Sequence, residues 1–103
     1  MIGGWDRLGG HVFSLDAAGG SLPDKFVSSG SGSPYVYGVL EDHWKDDMTL
    51  EEGANLAIRA VTAAMKRDAV SGEGIDVALI SKDGFKMFDD KEVEKRKASM
   101  KLA

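Results

Sequence analysis

The feature that most constrains the fold is a long helical pattern that begins at Thr49. Residues 49–52 (Thr-Leu-Glu-Glu) form a capping box, in which the Thr hydroxyl and the Glu52 carboxylate satisfy each other's backbone donors. Apolar residues then recur at helical spacing, at Leu50, Ala54, Ala57, Val61 and either Ala64 or Met65. The alanines in this stripe favour close packing against another helix or a sheet, because small residues let two backbones approach.

The same spacing continues to Asp68, where the stripe predicts a buried apolar residue. An acid at a helix C-terminus opposes the macrodipole, and Ser71 lies three residues further on, able to share one side with it. One interpretation is a helix cap, in which Asp68 accepts N–H bonds from the turn at residues 71–72. The other is a carboxylate and a hydroxyl that orient a nucleophile supplied from elsewhere.

Short strands are predicted before the long helix. Residues 11–15 alternate in period two, residues 17–20 (Ala-Ala-Gly-Gly) supply a tight turn, and residues 22–28 return as a second strand. Pro23 lies near the start of that strand, where a missing N–H is tolerated. His11 and His43 are each expected to be surface residues rather than general bases.

A small-residue segment, residues 29–34 (Ser-Gly-Ser-Gly-Ser-Pro), runs straight into another helical pattern. Ser33 fits its N-cap and Pro34 its first helical position, and residues 45–47 end it after about three turns. The N–H groups of such a loop could bind an anion. However, the segment is neither a dinucleotide fingerprint nor a P-loop, and a flexible, tightly packed turn is the alternative.

After the long helix, residues 75–81 form a strand that is apolar enough to be buried on both faces. Asp83-Gly84 signals a hairpin turn, which residues 85–88 complete. The remainder, from Asp89, has the pattern of a helix with acids at its start and lysines towards its end. Its apolar positions are few, so it is expected to lie exposed or fray. Three side chains at periodic positions are assigned to the core, namely Trp44, Phe85 and Met87.

Composition excludes several classes of function. The 103 residues suffice for a single domain, and the absence of cysteine excludes a disulfide framework, a thiolate zinc site and a cysteine nucleophile. Two histidines cannot build a histidine-rich metal cluster, and no cofactor is expected. A net charge of −4 argues against a nucleic-acid partner, and the apolar runs are too short for a membrane span. The first residues carry no secretory signal pattern, so a cytoplasmic chain is expected.

Several ordered blocks together resemble the β subunits of archaeal-type proteasomes. The resemblance rests on residues 11–20 (HVFSLDAAGG), 29–34 (SGSGSP) and 37–41 (YGVLE), followed by Arg67-Asp68 and Ser71-Gly72. It runs from about Ile2 to the late 80s and identifies the chain with the C-terminal half of such a subunit.

The resemblance implies an N-terminal-nucleophile hydrolase fold of the αββα sandwich type, of which this chain is one half, with antiparallel strands, two packed helices and a C-terminal helix. In the family an N-terminal threonine, whose own amine is the base, performs peptide hydrolysis. By correspondence of residues, Ser31, Asp68 and Ser71 are supporting catalytic residues and Asp16 lines a substrate groove. Other β subunits and the α ring are the implied partners.

The chain also departs from the family pattern. Its threonines are Thr49 and Thr62, neither at an N-terminus, and the sequence begins Met1-Ile2. The expectation is a truncated single domain, residues 1–103, that is inactive by itself and pairs with the missing N-terminal half or with itself. The alternatives are a self-associating structural half-domain without enzymatic role, and a separate small enzyme or anion-binding domain that uses the loop at residues 30–33.

Overall fold

The computed structural model describes residues 1–15, 18–68 and 74–102, which form five strands and three helices. The strands are β1 (Ile2–Asp6), β2 (Gly9–Leu15), β3 (Ser21–Asp24), β4 (Ala78–Ser81) and β5 (Gly84–Met87). The helices are α1 (Ser33–His43), α2 (Leu50–Arg67) and α3 (Asp90–Ser99). Both sheets are antiparallel, so the predicted α+β class is confirmed.

The first sheet is a meander in the order β1-β2-β3, with β2 at its centre. The strand predicted over residues 11–15 is confirmed and extends back to Gly9. The strand predicted over residues 22–28 is only partly right, because pairing ends at Asp24 and Phe26 leaves the sheet to pack against the helices. The turn predicted over residues 17–20 begins outside the described residues. In its described part Gly19 has a φ of +88°, which glycine adopts readily.

Helix α1 starts one residue earlier than predicted. Gly32 is the N-cap in place of Ser33, and Pro34 occupies the second helical position, where its missing N–H is still tolerated. Gly32 offers no side chain, so this helix has no side-chain cap. At the other end, Trp44 packs beside the buried Leu40, which confirms its assignment to the core.

Helix α2 begins with the predicted capping box. Thr49 Oγ1 accepts a hydrogen bond of 3.1 Å from the Glu52 amide, and Glu52 Oε1 accepts one of 3.2 Å from the Thr49 amide. The helix then runs for 18 residues and ends at Arg67. Among the described residues, no helix has both the length and the apolar character needed to cross a bilayer.

The predicted single stripe on α2 is only partly right: Ala54 and Ala64 are buried, but the helix is buried on two opposite faces. Its buried residues alternate along the sequence: Ala54, Leu56, Ile58, Ala60, Thr62 and Ala64. Neighbours two apart in a helix point about 200° away from each other, so this alternation places three residues on each face. Leu56 packs towards α1, whereas Ile58 packs against Val77 and Val93 on the other side. The predicted stripe residues Leu50 and Ala57 are exposed.

The second sheet is the β4–β5 hairpin, and here three predictions differ from the structure. The strand covers residues 78–81 only, and it is buried on one side rather than both, since Leu79 is half-buried while Ile80 is 42% exposed. Phe85 pairs opposite Ile80 and Met87 opposite Ala78, so these side chains share the outer face. Phe85 and Met87 were assigned to the core, yet they are 66% and 50% exposed. The hairpin itself is confirmed.

Helix α3 packs against α2, which corrects the prediction that it lies exposed or frays. Asp89 caps its start by accepting the Glu92 amide at 2.8 Å. Val93 is 4% exposed and lies against Ile58, with Met100 packed at the same cluster. Val93 is thus the buried apolar residue of a mainly charged helix, and it packs on the face of α2 that carries Ile58.

Candidate functional site

Two of the predicted site residues, Ser31 and Asp68, are in contact. Ser31 Oγ donates a hydrogen bond of 2.6 Å to Asp68 Oδ2, although the residues lie 37 positions apart in the sequence. This is within the range of a charge-assisted hydroxyl–carboxylate bond, which is stronger than a neutral one. The loop before α1 and the end of α2 therefore converge on one polar pair.

The position of Asp68 follows from the way α2 ends. Arg67 is the last helical residue, and Asp68 is the C-cap, with an extended backbone whose N–H donates a bond of 2.8 Å to the Ala64 carbonyl. Its half-buried side chain thus leaves the helix axis and reaches the loop that carries Ser31. The residue at which the predicted apolar pattern is interrupted, Asp68, is therefore the residue at which the helix ends.

The position of Ser31 follows from a tight turn. The Ser33 amide donates a bond of 3.2 Å to the Gly30 carbonyl, and Gly30 has a φ of +98°, a left-handed conformation that side chains rarely adopt. Ser31 lies at the exposed tip of this turn, while Gly32 behind it is buried. The turn directs Ser31 towards Asp68.

The base of the loop is closed by Tyr37, a residue that the sequence analysis did not single out. Its hydroxyl accepts the Ser28 amide at 2.9 Å and lies 3.2 Å from the Ser28 carbonyl, to which it donates. The Ser28 and Ser33 hydroxyls also lie 3.1 Å apart. The sequence does hold a signal for this arrangement, since Tyr37 follows Ser33 by four residues and so shares its face of α1.

Ser31, which binds Asp68, lines a groove of about 840 Å³, whereas Asp68 itself is not among the lining residues. Loop residues 28–33 line one side of the groove, and apolar side chains of α1 and α2, among them Val36 and Leu56, line the other. Few polar groups border an otherwise apolar concavity, an arrangement typical of binding sites.

The start of α1 is poorly suited to an anion. The Ser33 amide is used within the turn, Pro34 has no N–H, and the Tyr35 amide donates a bond of 3.0 Å to the Gly32 carbonyl. Anion sites at helix starts depend on such amides being available to the ligand. This geometry counts against the alternative of an anion-binding loop.

Two predicted site residues, Ser71 and Asp16, lie outside the described residues. The proposed cap of Asp68 by the turn at residues 71–72 lies outside them as well. In the ranges that the structure covers, no cluster of three or more His, Cys, Asp or Glu side chains could hold a metal ion.

His11 has a carboxylate partner that sequence reasoning missed. Its Nε2 lies 2.9 Å from Asp6 Oδ1, across the turn that joins β1 to β2. The Leu8 amide donates a bond of 2.8 Å to the same oxygen, and this bond, with the one to His11, lowers the pKa of Asp6. Neither Asp6 nor His11 lines the groove that Ser31 lines.

The chemistry open to the Ser31–Asp68 pair is that of an orienting group. A carboxylate accepts up to about four hydrogen bonds, and Ser31 supplies one of them. A carboxylate fixed in this way can orient a hydroxyl or amine that approaches the pair and stabilise positive charge that develops on it.

The sequence matches the family model described as proteasome subunit over residues 1–80. It is 53% identical over 94 residues to the proteasome subunit beta of Methanobrevibacter ruminantium, an alignment that covers 91% of this chain and 45% of that protein. It is 52% identical over 103 residues to the proteasome subunit beta of Methanocaldococcus jannaschii, covering 98% of this chain and 46% of the relative. It is also 52% identical over 101 residues to the proteasome subunit beta of Methanosarcina barkeri, an alignment that covers 97% of this chain and 48% of that protein. The chain thus spans about half the length of the curated relatives it matches, and it matches their C-terminal part.

Proposed function

The chain belongs to the proteasome subunit family, and on that premise we propose that it acts within a β subunit of the proteasome core particle, a threonine-type endopeptidase of intracellular protein degradation. The observation that carries this proposal is the 2.6 Å hydrogen bond between Ser31 and Asp68. The family resemblance assigns both positions to the support of a nucleophile. Ser71 is proposed as the third member of this group, and Asp16 as a residue of the substrate groove.

The nucleophile is proposed to come from a part of the subunit outside residues 1–103. The hydroxyl of Thr49 is occupied as a helix cap, and Thr62 is 3% exposed in the middle of α2. An N-terminal threonine that enters along the groove would reach Ser31, which lines it and is bonded to the Asp68 carboxylate. Asp68 would then orient the amine and stabilise the charge that forms when this amine takes the hydroxyl proton.

The same proposal accounts for the uncovered apolar surfaces. The outer face of the β4–β5 hairpin carries Ile80, Phe85 and Met87, all at least 42% exposed. In a sandwich of two sheets such a face packs against a second sheet, about 10 Å away. We therefore propose that residues 1–103 are half of one αββα domain in a cytoplasmic particle, with other β subunits and the α ring as partners.

A joined chain tests this proposal. Residues 1–103 would replace the C-terminal part of the Methanosarcina barkeri relative, and hydrolysis of fluorogenic peptides would be measured after assembly. We expect the joined subunit to cleave peptides and to react with electrophiles aimed at an N-terminal threonine, and a polypeptide of residues 1–103 to do neither. Peptidase activity of residues 1–103 that survives repurification would contradict the proposal, as would an assembled but inactive joined subunit.

The exposed hairpin face also supports a second candidate, a self-associating half-domain with a structural role only. Sedimentation of residues 1–103 tests it, with Phe85→Lys placing a charge on that face and Leu8→Lys as the control at another exposed apolar residue. Two results together would favour this candidate: residues 1–103 form an assembly that Phe85→Lys dissociates and Leu8→Lys does not, and the joined subunit is inactive. A monomer would exclude it.

A further inference from the structure

We propose that Tyr37 is a positioning residue for the Ser31–Asp68 pair, and that it acts by closing the base of the loop that carries Ser31. The geometric part of this inference rests on the contacts of Tyr37 alone. Its consequence for turnover rests on the proposed function.

The Tyr37 hydroxyl makes two bonds to one residue of the backbone. It accepts a hydrogen bond from the Ser28 amide at 2.9 Å and donates one to the Ser28 carbonyl at 3.2 Å, so a single oxygen satisfies both backbone polar groups of that residue. Backbone groups that are partly buried at a loop need such partners. Ser28 is thereby tied to the second turn of α1.

The ring that carries this hydroxyl is held in place by its neighbours. The Tyr37 and Phe26 ring centroids lie 6.2 Å apart with planes tilted by 47°, and Phe26 in turn lies 5.3 Å from the Trp44 ring. These distances and tilts are those of favourable aromatic pairs. The hydroxyl therefore projects from a packed cluster that restricts its movement.

Because Tyr37 holds the base of the loop at Ser28, it also restricts the movement of Ser31 at the tip of the loop. Only residues 29–32 lie between Ser28, which Tyr37 holds, and Ser33, whose hydroxyl lies 3.1 Å from that of Ser28. Within this span the turn at Gly30 fixes the path of the chain, and the Ser31 hydroxyl meets Asp68 at 2.6 Å. If the bonds to Ser28 are removed, the turn gains freedom at its base and Ser31 occupies the bonded geometry for a smaller fraction of the time.

The test is Tyr37→Phe, which keeps the ring and its packing and removes only the hydroxyl. Tyr35→Phe is the matched control, because Tyr35 lies on the same helix and is 42% exposed. In residues 1–103, we expect hydrogen exchange of the Ser28 amide to be about tenfold faster in Tyr37→Phe and unchanged in the control. The reason is that the variant lacks the one hydrogen bond that protects this amide. Equal exchange at Ser28 in both variants would overturn the proposal.

In the joined subunit, we expect Tyr37→Phe to lower kcat about three- to tenfold, with KM nearly unchanged. If Tyr37 acts through Ser31, adding Tyr37→Phe to Ser31→Ala should lower kcat no further. A full additional loss in that background would contradict the inference. An inactive parent subunit would instead refute the proposed function, and the exchange measurement would still decide the geometric part.

Discussion

Arg96 of α3 donates a hydrogen bond of 2.9 Å through Nη1 to Asn55 Oδ1 of α2. The same guanidinium donates to Glu92 at 2.8 Å, pairs with Glu51 and lies 4.4 Å from the centroid of the Phe88 ring. Its side chain is only 13% exposed. One planar cation thus joins α3, the start of α2 and the end of the hairpin.

We expect Arg96→Lys to lower the free energy of unfolding by about 1–2 kcal/mol, because an ammonium group can neither form this fork of hydrogen bonds nor stack on the ring. Lys95→Arg, at an exposed position of the same helix, should change it by less than about 0.5 kcal/mol. Chemical denaturation of residues 1–103 measures both. Equal effects would show that the contacts of Arg96 add little to stability.

The stability of the folded chain at acidic pH should depend on Asp6. The bond from the Leu8 amide and the contact with His11 hold the pKa of Asp6 below its usual 3.8. A carboxyl whose folded pKa is lowered contributes stability that is present above its unfolded pKa and lost as pH falls through the folded one. The loss is therefore expected below about pH 4.

Melting temperatures measured between about pH 6 and pH 2.5 test this dependence. Asp6→Asn should melt lower than the parent at the upper end of this range, and the difference should shrink at the lower end. Asp47→Asn is the control, since Asp47 has a φ of +61°, which asparagine also adopts. A constant difference between Asp6→Asn and the parent across the range would refute the assignment.

The two threonines of the α2 region should respond in opposite ways. Thr49→Ala removes a cap and should cost about 1 kcal/mol of stability, whereas Thr49→Ser should retain most of it. The Thr62 hydroxyl is buried and finds no hydrogen-bond partner among the described residues. Thr62→Val should therefore be neutral or stabilising in urea denaturation. A loss as large as that of Thr49→Ala would reveal a partner for this hydroxyl.

The features that could be predicted from the sequence are those that short segments determine. The capping box at Thr49 and Glu52 and the hairpin at Asp83-Gly84 depend on residues within four positions of each other, and both are present. The break in the helical pattern at Asp68 likewise coincides with the C-cap of α2.

The features that could not be predicted depend on what lies across the fold. A helical spacing gives one stripe, whereas Ile58 and Leu56 are buried by different neighbours on opposite faces. Phe85 is 66% exposed on the outer face of the hairpin, and no local pattern distinguishes it from a buried aromatic residue of a strand. The meeting of Ser31 with Asp68 spans 37 positions and was suggested by the family resemblance rather than by spacing.

The central claim is that Asp68, held by Ser31, supports the nucleophile of a threonine peptidase. The most direct test is the turnover of a fluorogenic peptide by the joined subunit with Asp68→Asn, beside the Asp47→Asn control. Asparagine keeps the size of the side chain and removes its charge. We predict that kcat falls about 100-fold or more with a nearly unchanged melting temperature, and that adding Ser31→Ala makes it no worse than the poorer single variant. Turnover equal to that of the control, or reduced only as far as the folded fraction, would contradict the claim and make Asp68 a helix cap alone.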